Sequence, residues 1–201
     1  FKFIGDKIRK YEKTKEKEFV FGYEESYGCV VKDFVRDKDA VAACALMAEM
    51  TAWAKDNGMS IFELIQEIYL QFGYGKEKGI SVVRKGKSGA EEIQQMMRDF
   101  RANPPKEIAG SAVVVIKDYQ TLVERNVVTG EESKLAFPTT SNVLQYFTED
   151  GTKVSVRPSG TEPKIKFYVE VRGKMQSRAD FARCEAEATA KIDAVRASLG
   201  V

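Results

Sequence analysis

The sequence contains no histidine in 201 residues. Within this chain that excludes Ser-His-Asp and Cys-His nucleophile pairs, His-ligated zinc and the usual proton shuttle near neutral pH. Acid or base chemistry here falls to Glu, Asp, Lys, Tyr or Cys. Cysteine is scarce: Cys29, Cys44 and Cys184 are odd in number, far apart and without a CxxC spacing. Neither a disulfide framework nor a zinc site is indicated, and a reducing cytoplasmic setting is expected. Long apolar runs are missing too, because the longest spans 40–48 and Glu49 closes it, far short of the roughly 18–20 residues of a membrane span. No basic start followed by an apolar block marks a signal peptide. An excess of one charge is also absent: 32 Lys and Arg stand against 30 Asp and Glu, a net +2. A broad basic face for nucleic acid is therefore not expected, nor is a membrane surface partner.

What is present is an ordinary globular composition, 43% hydrophobic and 31% charged, in a length that suits one large or two small domains. Phe3, Ile4, Ile8 and Tyr11 fall at helical spacing, and Lys and Glu then dominate 12–18. Phe19, Val20 and Phe21 form a β-prone run, and Gly22 and Gly28 bracket a polar loop. A helix is predicted over 37–57, capped by Asp37 or Asp39 and stopped by Asn57-Gly58. Its stripe places Trp53 in a core. Ser60 and Glu63 have capping-box spacing ahead of a second helix to about Phe72. Residues 73–79 read as a glycine and lysine loop, 80–83 as a strand, and 88–100 as a helix capped by Ser88. Asn103-Pro104-Pro105-Lys106 then interrupts regular structure, so a domain boundary is expected between 103 and 108. Four strands follow, at 112–116, 142–147, 153–156 and 165–171, with a hairpin turn at Glu149-Asp150-Gly151-Thr152. A helix over 177–199 closes the chain. The second part reads as a small α+β domain with a four-stranded antiparallel sheet and helices on one face.

Two motifs carry chemistry. In Arg157-Pro158-Ser159-Gly160-Thr161-Glu162-Pro163, between two strands, Arg157 offers a planar fork for two phosphate oxygens. Ser159 and Thr161 offer hydroxyl donors, and Gly160 lets backbone N–H groups approach an anion. Lys164 and Lys166 add point charges from the next strand. A plain hairpin connection uses the same residue types. In Gly22-Tyr23-Glu24-Glu25-Ser26-Tyr27-Gly28 the adjacent carboxylates face opposite sides of an extended segment and do not suit a glycosidase pair. Glu24 and Ser26 fall on one side, where they can accept and donate hydrogen bonds to sugar hydroxyls; a solvated turn is the simpler reading. Arg36-Asp37-Lys38-Asp39 is helix-entry charge that also brings a cation near that loop. Gly73-Tyr74-Gly75-Lys76 is a weak nucleotide-loop candidate.

Together, Glu24-Glu25-Ser26-Tyr27-Gly28 and Arg157-Pro158-Ser159-Gly160-Thr161-Glu162-Pro163-Lys164-Ile165-Lys166-Phe167-Tyr168, about 130 residues apart, resemble the sugar-binding and phosphate-binding loops of the α-D-phosphohexomutases, the phosphoglucomutase and phosphomannomutase family. The resemblance covers essentially the whole chain. It implies part of a four-domain enzyme, with 1–104 as a truncated α/β three-layer third domain and 105–201 as the fourth. The implied reaction interconverts hexose 1-phosphate and hexose 6-phosphate through a hexose 1,6-bisphosphate. The catalytic phosphoserine and the Asp-rich loop for Mg²⁺ belong to earlier domains of such enzymes, and neither motif occurs here. No catalytic residue and no metal ligand is therefore expected in this chain, which would be inactive alone and would need those domains as partners. By resemblance, Glu24, Ser26 and Lys38 hold the sugar and its phosphate. Arg157, Ser159, Gly160 and Thr161 clamp the phosphate that is not transferred, assisted by Lys164 or Lys166. A non-catalytic phosphosugar-binding module is the alternative. The preferred sugar is not legible from these residues.

Overall fold

The computed structural model describes residues 1–201 except Glu25, Ser26 and Thr161, and except the side chain of Lys87. The chain divides into two compact units, Phe1–Gln66 and Glu67–Val201.

The first unit opens with α1 (Lys2–Thr14), which buries Ile8 and ends where Lys15 turns left-handed (φ 54) and donates its N–H to Tyr11 O. β1 (Phe21–Tyr23) and β2 (Cys29–Val31) then pair antiparallel, with Gly22 opposite Val30. The β-prone run at Phe19 thus contributes only its last residue to the strand. α2 (Ala40–Asp56) starts as expected, because the Asp39 carboxylate accepts from the Val41 N–H at 2.9 Å. α3 (Ile61–Phe72) has the expected capping box: Ser60 Oγ accepts from the Glu63 N–H at 3.1 Å, and Glu63 Oε2 accepts from the Ser60 N–H at 2.8 Å. The division between the units falls inside this helix. One expectation fails in α2. Trp53 is 55% exposed and only Ala54 of the helix is buried. Apolar residues occupy most of the helix circumference, so spacing alone does not single out the face that packs.

The second unit is built on an antiparallel sheet. Its elements are β3 (Tyr74–Val83), α4 (Gly86–Ala102), β4 (Glu107–Ile108), β5 (Ser111–Asp118), β6 (Val123–Asn126), β7 (Glu132–Lys134), β8 (Leu144–Thr148), β9 (Lys153–Pro158), β10 (Lys164–Gly173) and α5 (Phe181–Leu199). The sheet order is β3-β10-β9-β8-β5-β6-β7, with β4 beside β5, so the described residues form eight strands where four were expected. The expected four are all there, as β5, β8, β9 and β10. Of the additions, β4, β6 and β7 are two to four residues long and lack apolar alternation, which hides them from periodicity.

The largest addition is β3. The strand expected at 80–83 extends back through residues read as a glycine and lysine loop to a length of ten, because β10 presents ten residues of backbone edge and every one is paired. Charged Lys76, Glu77 and Lys78 are tolerated there because β3 is an edge strand. Tyr74 is buried and its hydroxyl donates to Glu185 at 2.6 Å, so this segment is not a nucleotide loop. The proline-containing stretch at 103–108 lies inside the second unit, between α4 and β5, since β3 and α4 are already committed to the sheet.

Ile165, Phe167, Val169 and Val171, one face of β10, meet Ile93 and Met97 of α4 and Cys184, Ala188, Ile192 and Val195 of α5 in one buried cluster. Helices on one face of the sheet were expected, and this cluster is what holds them there. α4 begins at Gly86 with Lys85 at its N-cap, three residues before the expected Ser88 cap. Among the described residues no helix is long and apolar enough to cross a membrane.

Candidate anion-binding and sugar-binding loops

In the second unit, β9 delivers Arg157 and β10 delivers Lys164 and Lys166. Arg157 and Lys166 are directly opposite in the antiparallel ladder, one pair beyond the buried Val156 and Phe167, and so point away from the core. Lys164 lies on the same face as Lys166, two residues before it. Like charges placed opposite one another in a sheet are unfavourable. Two cations at this register therefore mark a face that an anion would relieve.

Between the strands, the Ser159 N–H donates to Lys164 O at 2.8 Å, and the Lys164 N–H donates to Glu162 O at 2.7 Å. Ser159 Oγ accepts from the Glu162 N–H at 3.3 Å. The loop is thus closed by its own backbone, with Ser159 half-buried and Gly160 exposed. A Cβ at Gly160 would have nothing within 4 Å, so no protein neighbour demands glycine there. Glu162 pairs with Lys164, and that hydrogen bond holds the Glu162 carboxyl below its usual range. Thr161 lies outside the described residues. A cavity of about 350 Å³ opens beside the loop, lined by Ser159, Gly160, Glu162 and Pro163 and by Gly86, Ala90, Ile93 and Gln94 of α4. Sequence reasoning missed this contribution of α4. Its only trace was the glycine-rich start at 86–89.

In the first unit, Glu24 follows β1 and its N–H donates to Gly28 O at 3.0 Å, closing the loop. Its carboxylate lies 3.4 Å from the Phe1 ammonium and 3.9 Å from Lys38 Nζ. The structure therefore brings Glu24 and Lys38 together across 14 positions of sequence, while Ser26 lies outside the described residues. Gly28 leaves room for this approach, since a Cβ there would lie 2.8 Å from Lys38 Cδ and 3.2 Å from Glu24 Oε1. Lys38 also lies 3.0 Å from Asp37, and that hydrogen bond raises its pKa above the ordinary lysine value. Lys38 is cationic at any pH near neutral.

Two family models match in the order of these loops. Residues 1–72 match phosphoglucomutase/phosphomannomutase, alpha/beta/alpha domain III, and residues 113–191 match the C-terminal domain of the same proteins. The chain belongs to the phosphoglucomutase/phosphomannomutase family.

It is 37% identical over 171 residues to the phosphoglucomutase of Staphylococcus haemolyticus, a match that covers 85% of this chain and 30% of that protein. The phosphoglucomutase of Staphylococcus aureus strain MRSA252 is 36% identical over 172 residues, covering 86% of this chain and 30% of that protein. Among solved structures, the open form of the Paramecium phosphoprotein pp63/parafusin is 17% identical with a TM-score of 0.44, covering 86% of this chain and 30% of that one. The chain thus spans about 30% of the length of these mutase relatives. It resembles a C-terminal part of such enzymes.

Proposed function

We propose that this chain binds phosphosugar for a phosphohexomutase that interconverts hexose 1-phosphate and hexose 6-phosphate. The observation that carries the reading is the cation face at the β9–β10 loop, where Arg157 and Lys166 sit directly opposite each other beside Lys164. Arg157 offers a bidentate fork to a phosphate, the two lysines add charge, and the Ser159, Gly160 and Thr161 segment supplies hydroxyl and backbone donors. Glu24 accepts from sugar hydroxyls, with Ser26 on the same loop, and Lys38 contacts the phosphosugar beside them. A clamp of fixed cations suits a reaction through a hexose 1,6-bisphosphate, because it grips either end of the hexose in the same way. Phosphoryl transfer depends mainly on positioning and charge stabilisation.

Mg²⁺ is implied by the family. Among the described residues no three His, Cys, Asp or Glu side chains gather as a metal site, so these residues do not fit that role.

The test is titration of the chain with glucose 1-phosphate and glucose 6-phosphate. Saturable binding that is lost in Arg157→Ala, with the circular dichroism spectrum retained, supports the clamp. Absence of binding by the unaltered chain refutes it. With glucose 1-phosphate, glucose 1,6-bisphosphate and Mg²⁺ supplied, the chain alone is expected to give no glucose 6-phosphate. Turnover would place the reacting groups among its own residues.

A further inference from the structure

The β9–β10 loop is held from outside by a contact that its own sequence does not announce. β3 leaves the sheet at Val83, paired with Lys164, and the next residue, Arg84, donates its backbone N–H to Pro163 O at 2.9 Å. The loop's C-terminal side is therefore anchored to the connector that leads into α4. That connector is itself trapped. Gly86 takes φ +78 to turn the chain into the helix, and Gly89, in the first turn, is buried against the Arg84 backbone. A Cβ at Gly89 would lie 2.5 Å from both the carbonyl carbon and the carbonyl oxygen of Arg84, and 2.7 Å from its Cβ. Atoms of a backbone cannot swing aside as the end of a long side chain can.

We infer that Gly89 is a positioning residue for the anion-binding loop. It allows the α4 first turn to seat against Arg84, Arg84 fixes Pro163, and the Lys164 carbonyl that follows accepts from the Ser159 N–H at 2.8 Å. A side chain at position 89 displaces Arg84, and the displacement is passed through two hydrogen bonds to Ser159 and Gly160. Gly79, in β3, is the matched contrast: a Cβ there meets nothing within 4 Å. The term "anion-binding" rests on the proposed function, whereas the coupling of Gly89 to the loop rests on the backbone contacts alone.

The experiment is NMR-detected amide exchange on the full 201-residue chain, with affinity for glucose 6-phosphate measured on the same samples. Gly89→Ala is expected to speed exchange at Arg84 and Ser159 by about tenfold or more. It is also expected to weaken glucose 6-phosphate binding by about tenfold, the loss of one charge-assisted hydrogen bond. The cooperative melt is retained, and Gly79→Ala changes neither quantity. Unchanged exchange at Arg84 and Ser159 in Gly89→Ala overturns the inference, even with wild-type binding intact. A wild-type chain that does not bind glucose 6-phosphate overturns the proposed function instead, and the exchange rates still decide the role of Gly89. Should Gly89→Ala fail to fold, Arg84→Pro deletes the donor to Pro163 while leaving Gly89 in place. It is read by exchange at Ser159 and by affinity, with unchanged values overturning the inference.

Discussion

The first unit of this protein is the richer in apolar residues, half of its sequence against two in five of the second, yet it buries fewer of them. The second gathers residues from two helices and most of its strands into one buried cluster. In the first, Ile8, Val30 and Ala54 are the apolar side chains that reach full burial among the described residues, while Phe34, Val41, Met47 and Trp53 stay more than half exposed. The difference is one of layering. A sheet wide enough to be covered by two helices offers each apolar stripe a partner surface, whereas a three-residue hairpin covers little of a helix. Each unit also carries one candidate binding loop, so the phosphate loop rests on a closed core and the sugar loop on a sparse one.

The sharpest way to break this comparison is a pair of aromatic truncations. Phe167 is fully buried, edge-on to Phe100 at 5.9 Å, and Phe167→Ala is expected to cost about 3–5 kcal/mol by urea denaturation. Trp53→Ala, at a half-exposed site, is expected to stay within about 0.5 kcal/mol. Similar costs for both would mean that the α2 face is packed after all.

The next largest effect is on the loop itself. Arg157→Ala is expected to weaken glucose 1-phosphate binding by about tenfold to a hundredfold, with denaturation unchanged, because the side chain leaves the sheet on the face away from the core. A loss of stability without loss of binding would make Arg157 structural. A smaller contrast is dynamic. Amides of the β1–β2 hairpin are expected to exchange about tenfold or more faster than those of β9 and β10, since fewer buried contacts resist local opening. Equal protection would show that the first unit is as closed as the second.

The smallest effect is confined to acid. Asp150, in the β8–β9 turn, is pushed up by burial, but hydrogen bonds from Lys191, Thr148 and Thr152 outweigh this and hold it well below the usual aspartate value of 3.8. Lys191 reaches it at 2.6 Å and so ties the turn to α5. A carboxyl depressed in the folded state contributes stability above its unfolded pKa, and that stability is lost as pH falls. Melting of the second unit is therefore expected to be flat from pH 7 to about pH 5 and to fall below about pH 4, with a shallower fall in Asp150→Asn.

Much of this was legible before folding. The caps at Asp39 and Ser60 are local hydrogen bonds between residues two or three apart; Ser60 caps where the sequence placed it, and Asp39 is one of the two positions it offered for α2. The alternation of Ile165, Phe167, Val169 and Val171 announced a strand with one buried face. The segment from Tyr74 to Gly79 was not legible, because glycine and charge deny it any strand period. It becomes a strand only because β10 leaves an edge to be paired. Trp53 was misplaced for the converse reason: a helix apolar on most sides does not say which side meets a partner.

What the sequence by itself determined is the residue types of the two loops, their order, the family and the starts of α2 and α3, since these depend on residue type and short spacing. The tertiary structure alone decided that Arg157 faces Lys166 across a ladder, that Lys38 crosses Gly28 to reach Glu24, and that Gly89 holds Arg84 against the loop. The first arises from strand register, the second from an ion pair between side chains 14 positions apart, and the third from the close approach of two backbones. Neither register nor backbone approach is written in the composition of either partner.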